Sequence, residues 1–173
     1  AANPSFLNAG DSYSSQLQVT LPQGIDSDYF FIVQADNRNQ VLEFQFEDDN
    51  TRAGGPTDVT LAPPRDLRVS SVNAPRTAFS GQPATVSWTV LNDGDGATLE
   101  SFWRDRVYLS TDTLLDQNDT LLATRNRSGV LASGDSYTVD QEVTLPIGES
   151  GEFFFIVQTD TFNQVFEHVF EGN

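Results

Sequence analysis

The 173-residue chain has no cysteine, no lysine and a single histidine, His168, and its 9 basic residues face 25 acidic ones for a net charge of −16. Each shortage removes a class of chemistry. Without cysteine there is no disulfide, thiolate zinc site, iron–sulfur cluster or thiol nucleophile, and cysteine usage leaves the redox compartment open. All nine basic residues are arginines, scattered from Arg38 to Arg127, with no run beyond the Arg104/Arg106 pair. A surface this negative repels nucleic-acid phosphates and anionic lipid headgroups, which argues against DNA, RNA and membrane surfaces as partners and makes calcium the natural charged one. No window approaches the ~18 consecutive apolar residues of a membrane span, so direct insertion is not expected.

What the chain does have is an internal repeat. Residues 7–49 align without a gap on residues 131–173, at an offset of 124, with 22 of 43 positions identical. LNAGDSY matches LASGDSY, VTLPQG matches VTLPIG, FFIVQAD matches FFIVQTD and NQVLEFQFE matches NQVFEHVFE. Similarity at a fixed period is the mark of a repeat architecture. Between the copies, Gly54-Gly55-Pro56 and Pro63-Pro64 punctuate a junction that leaves room for one short strand, Thr57 to Leu61. The expected organisation is residues 1–61 as the C-terminal half of a preceding repeat, 62–65 as a linker, and 66–173 as a nearly complete repeat lacking its last strand.

The side-chain pattern is β throughout. Val86, Trp88 and Val90 alternate with Thr85, Ser87 and Thr89, the period of a half-buried strand. Tyr137, Val139, Val143 and Leu145 repeat that period, and Tyr13, Leu17, Val19 and Leu21 do so in the first copy. Phe153 to Val157 and Tyr29 to Val33 are continuous apolar runs suited to a central strand covered on both faces. Val107 and Leu109 mark another strand, and Asn163 to Phe170 the last. Gly, Pro, Asn and Asp interrupt every helical window. The expected fold is all-β: antiparallel, immunoglobulin-like β-sandwich repeats without a disulfide.

The ordered motifs DLRVSSV, SGQPATVSWTVLNDGDG, WRDRVYLSTDTLLDQNDTLL, SGVLASGDSYTVDQEVTLP, FFFIVQTD and NQVFEHVFEGN resemble the CARDB domain, the cell-adhesion-related domain of bacteria. Residues 1–61 resemble its C-terminal half. The resemblance implies an immunoglobulin-like sandwich in tandem arrays of large secreted or surface-attached prokaryotic proteins, with a role in adhesion or as a structural spacer. It carries no catalytic residue.

Three acidic groups are candidate calcium ligands. Asp112, Asp116, Asn118 and Asp119 fall within one loop, and calcium takes six to eight oxygens. The spacing is not that of an EF-hand, since the glycine at its sixth position is missing and Arg127 stands where its closing glutamate belongs. The same residues serve equally well as turn caps. Asp93 and Asp95, in Asn92-Asp93-Gly94-Asp95-Gly96, form the second group, with Gly and Asn there read as supplying positive φ for a tight turn. Glu47, Asp48, Asp49 and Asp66 form the third, at the repeat junction, where an ion would stiffen the hinge. Among the aromatics, Trp103 and Tyr108, with Phe162, are candidate surface groups for stacking on a cell-surface glycan.

Enzyme chemistry finds little support. Gly10 to Tyr13 and Gly134 to Tyr137 both read GDSY, yet both lead into an amphipathic strand rather than the strand-to-helix turn of a nucleophile elbow. His168 aligns with Phe44 and reads as a partly buried sheet residue. The function expected is a non-enzymatic extracellular or cell-surface repeat module, for adhesion or as a spacer or filament-forming segment. Its partners would be neighbouring repeats of the same protein or chain type, joined head to tail or by strand complementation. The alternative is a calcium-dependent carbohydrate-binding accessory module of a secreted hydrolase.

Overall fold

In the computed structural model, which describes residues 6–46 and 48–168, the chain separates into two compact units, Ala1–Leu61 and Ala62–Asn173. All regular structure among the described residues is β.

The first unit is an antiparallel hairpin of β1 (Ser27–Gln34) and β2 (Thr51–Val59). Strand β2 is longer than the Thr57–Leu61 segment expected from the sequence. Gly54-Gly55-Pro56 does not break it; a register shift between Phe30 and Ile32 of β1 absorbs the irregularity. The apolar run Tyr29 to Val33 is not a central strand. Among the described residues it pairs on one side only, and all of β1 is exposed, with Ile32 at 67% and Val33 at 69%. Nor do Tyr13 to Leu21 form a strand. Alternation supplies a face but not a ladder, and no strand among the described residues pairs with this segment.

The second unit is an immunoglobulin-like sandwich of six antiparallel strands: β3 (Leu67–Asn73), β4 (Pro83–Asn92), β5 (Phe102–Ser110), β6 (Thr120–Ser128), β7 (Ser136–Thr144) and β8 (Phe154–Gln158). One sheet has the order β3-β4-β7 and the other β6-β5-β8. Strands β4 and β5 are central, and their alternation decides what each sheet buries. Ala84, Val86, Trp88 and Val90 of β4 meet Trp103 and Val107 of β5 in the core, joined by Leu67, Leu131, Val143 and Val165. Trp88 and Trp103 are the largest fully buried side chains, and by area each contributes on the order of 4 kcal/mol. The opposite face of the β4–β7 ladder is hydroxylic: Thr89 and Thr138 share a 2.9 Å hydrogen bond, and Ser87 donates to Asp140.

Phe153 to Val157 also departs from expectation. As β8 it is, among the described residues, an edge strand paired with β5 alone, Phe155 and Val157 packing against the core and Phe154 remaining exposed. From Thr161 to His168 the chain turns rather than forming a strand. Asn163 and His168 take positive φ values of 48° and 57°, which a strand cannot contain. His168 is thus an exposed turn residue, edge-on to Phe166 at 6.2 Å, and not a partly buried sheet residue. Residues 169 and 170 of the expected strand lie outside the described residues.

Candidate functional site

The most constrained chemistry in the second unit is a carboxylate that lies between the two sheets. Asp105 sits on the inward face of β5 with Trp103, Val107 and Leu109, and is fully buried. Its Oδ2 accepts Trp88 Nε1–H at 3.0 Å and the Tyr137 hydroxyl at 2.8 Å, and its Oδ1 accepts the Thr159 hydroxyl at 2.8 Å. Trp103 Nε1–H in turn donates to the Tyr137 oxygen at 2.9 Å. The Arg127 guanidinium lies 4.9 Å from the Tyr137 ring centroid and 5.4 Å from that of Trp103. Burial, and then the charge of Asp105, push the Tyr137 hydroxyl well above its ordinary pKa. The network ties the two sheets: the Trp88, Tyr137 and Thr159 donors are all held by one acceptor, the Asp105 carboxylate.

This placement corrects one expectation. Trp103 is not a surface stacking group, because the period of β5 turns its indole into the core, where Tyr137 holds its N–H. Tyr108, one pleat out of phase, is half-buried on the outer face. That face also carries Arg104, 5.1 Å from the Phe102 ring and 5.2 Å from the Phe162 ring, and Arg106, 4.7 Å from Phe162.

The acidic candidates behave as turn caps. Asp112 Oδ1 accepts Leu114 N–H at 2.7 Å, Asp116 Oδ1 accepts Asn118 N–H at 2.7 Å, and Asp119 Oδ2 accepts Asp116 N–H at 2.7 Å. The loop at Asn92 is ordered by Asn92 itself, which is fully buried. Its Oδ1 accepts Asp66 N–H and Gly94 N–H, and its Nδ2 donates to Gly96 and Leu131 carbonyls. Asp93 forms an ion pair with Arg68 at 2.7 Å, and Asp95 is exposed. Asp66, assigned from the sequence to a different group, comes close enough to Asp93 to be affected by its charge. Burial first, and then Asp93, raise its pKa, while Arg68 opposes them. Asp48 and Asp49 belong to the first unit and Asp66 to the second; Glu47 lies outside the described residues. Among the described residues, no three His, Asp or Glu side chains converge as metal ligands do.

Glycine does different work in this loop from that expected. Neither Gly94 nor Gly96 has positive φ. What they allow is close approach. A Cβ on Gly94 would lie 2.6 Å from the Pro64 carbonyl oxygen, and one on Gly96 would overlap that of Pro63. The segment before β3 is fastened there, with Gly96 N–H donating to Pro64 and the buried Arg65 donating to the Ala97 and Phe166 carbonyls.

The repeated sequence carries a repeated loop geometry. Asp36, Asn39 and Phe44 have φ of 39°, 47° and 57°; their equivalents Asp160, Asn163 and His168 have 41°, 48° and 57°. Asp36 accepts the N–H groups of Gln40 and Val41 at 2.8 and 2.7 Å, and Asp160 accepts those of Gln164 and Val165 at the same distances. The glutamate that follows makes different bonds in the two units. Glu167 Oε1 takes Leu67 N–H at 2.6 Å, tying the turn to β3, whereas Glu43 Oε2 takes Asn50 Nδ2–H at 2.8 Å.

An open depression of about 610 Å³ is lined by residues including Asn73, Phe79, Gln82, Thr85 and Ser87, with no titratable side chain in its wall.

No curated protein matches the chain. Among solved structures it is similar to part of DesR, a β-glucosidase from Streptomyces venezuelae in complex with D-glucose, at 20% identity and a TM-score of 0.32. The match covers 55% of this chain and 13% of that one. The model of the CARDB family matches residues 64–173, the span that forms the sandwich, its buried carboxylate and the Asp160 turn. CARDB domains are non-catalytic and are generally found in extracellular or surface proteins. Sandwich, ordered motifs and matched span agree, and the chain belongs to the CARDB family.

Proposed function

We propose that the chain is a non-enzymatic extracellular module of a larger surface or secreted prokaryotic protein, acting in adhesion or as a structural spacer, and that its partners are repeats of its own kind. The observation that carries this reading is the duplicated aspartate-capped turn at Asp36 and Asp160. Three backbone angles and two capping hydrogen bonds agree within a few degrees and at the same distances. Two copies of one local design in a single chain are what a tandem array requires.

Surface capture tests the reading. Immobilised chain should retain soluble chain, and a glycan array probed with the same protein should stay blank. Retention on glycans that calcium chelation abolishes, with no self-capture, would transfer the chain to the carbohydrate-binding class.

A further inference from the structure

We propose that the sandwich of one copy stacks on the sandwich of another through opposite sheet faces, Arg104 and Arg106 of one copy meeting Asp140 and Glu142 of the next. The inference rests on the reading of the chain as a self-associating repeat and names the surfaces that join. All four residues belong to the second unit.

The pleat of β5 sets the arginines on the outside. Trp103, Asp105 and Val107 point inward and are buried, so Arg104 and Arg106 stand together on the outer face. Rings hold them rather than acids: Arg104 lies over Phe102 and Phe162, and Arg106 over Phe162. Arg104 also donates to the Asn126 carboxamide at 3.3 Å. Neither guanidinium forms an ion pair with a carboxylate among the described residues. A guanidinium stacked on a ring keeps an N–H edge for an acceptor.

The other sheet carries the complement. Val139 and Val143 of β7 turn inward, and Asp140 and Glu142 are exposed on the outer face. Asp140 accepts the Ser87 hydroxyl, Glu142 lies opposite Thr85, and no arginine among the described residues pairs with either acid. The acids and the arginines share one spacing, two residues along a strand or about 6.7 Å. They also lie close to one level of the sandwich. Asp105, between the two arginines, accepts the indole N–H of Trp88, whose ladder partner in β7 is Val139, the neighbour of Asp140.

Charge selects a second copy as the occupant. Chains of net charge −16 repel one another, and this contact sets scarce positive charge against negative at a matching interval. Because the two patches lie on opposite faces, the contact is heterologous. A copy that uses its arginine face leaves its acidic face for another, so the stack can grow.

Charge reversal in the full chain tests the pairing, with circular dichroism reporting the fold of each variant. Arg104→Glu/Arg106→Glu and Asp140→Arg/Glu142→Arg should each weaken self-association at least about tenfold in sedimentation velocity, since like charges then face each other. The second variant moves the net charge toward zero, so a loss there does not come from overall repulsion. An equimolar mixture of the two should associate as the wild type does, because the reversed faces complement each other. Arg104→Glu alone replaces the arginine pair should that variant fail to fold. Association unchanged in both variants, or lost in both and not recovered on mixing, overturns the surface assignment and leaves the repeat reading standing. No association of the wild type at any concentration overturns both. Polygalacturonate that binds the wild type but not the arginine variant, with self-association untouched, assigns the arginine face to an acidic glycan instead.

Discussion

The indole N–H of Trp88 donates to Asp105 Oδ2 at 3.0 Å, so the central strands of the two sheets are tied through one fully buried carboxylate. Removing the acceptor leaves the Trp88 N–H, the Tyr137 hydroxyl and the Thr159 hydroxyl without it in a dry core. Asp105→Leu should lower stability by about 3 kcal/mol or more, and Asp105→Asn by less, since the amide keeps one acceptor but turns a donor toward donors. Urea unfolding followed by tryptophan fluorescence measures both.

Tyr137 makes the same network sensitive to base. Its folded-state pKa lies above the ordinary 10.0, with burial as the main cause, so the folded chain holds this proton more tightly than the unfolded chain does. The contribution is fully present below pH 10 and is lost as pH rises above it. The urea midpoint of the wild-type chain should fall more steeply from about pH 9.5 to about pH 11.5 than that of Tyr137→Phe. The variant should be less stable at pH 8, because Trp103 Nε1–H loses its acceptor.

The fold was legible where alternation reports burial. Val86, Trp88 and Val90 were assigned to the inner face of a strand, and they form the centre of the core. Trp103, a candidate surface group by sequence, lies inward, as its spacing to Val107 and Leu109 on one face of β5 requires. That spacing also placed Asp105 on the apolar face, the one readable sign of the buried network; its partners come from β4, β7 and the turn after β8 and are visible only in three dimensions. Pairing was not legible at all. FFIVQ reads alike in both copies, yet ladder position makes one an exposed hairpin strand and the other a packed edge.

Gly96 gives a test of the fastening before β3. Gly96→Ala places a methyl group against the Pro63 carbonyl, where no positive φ complicates the comparison. The clash must be relieved by moving a backbone that Arg65 holds at both Ala97 and Phe166. The expected loss is about 1–3 kcal/mol, read as a lower midpoint in thermal unfolding. Gly148→Ala, with open space around its Cβ but a φ of 88°, separates backbone strain from this overlap.

Calcium is tested at the Asp112–Asp119 loop. Asp112, Asp116 and Asp119 already accept backbone N–H groups, and an ion would have to draw those oxygens away from their turns. A calorimetric midpoint that is the same in chelator and in excess calcium is the expected result. A rise of several degrees with calcium would restore these carboxylates, or those at Asp93 and Asp95, as ligands.

The claim that this chain is a repeat module that binds its own kind is tested most directly by sedimentation equilibrium of the 173-residue protein over a wide concentration range. The account predicts a weight-average mass that climbs above the 19.0 kDa of one chain as concentration rises. A mass that stays at one chain throughout, with a single sharp unfolding transition, would contradict it.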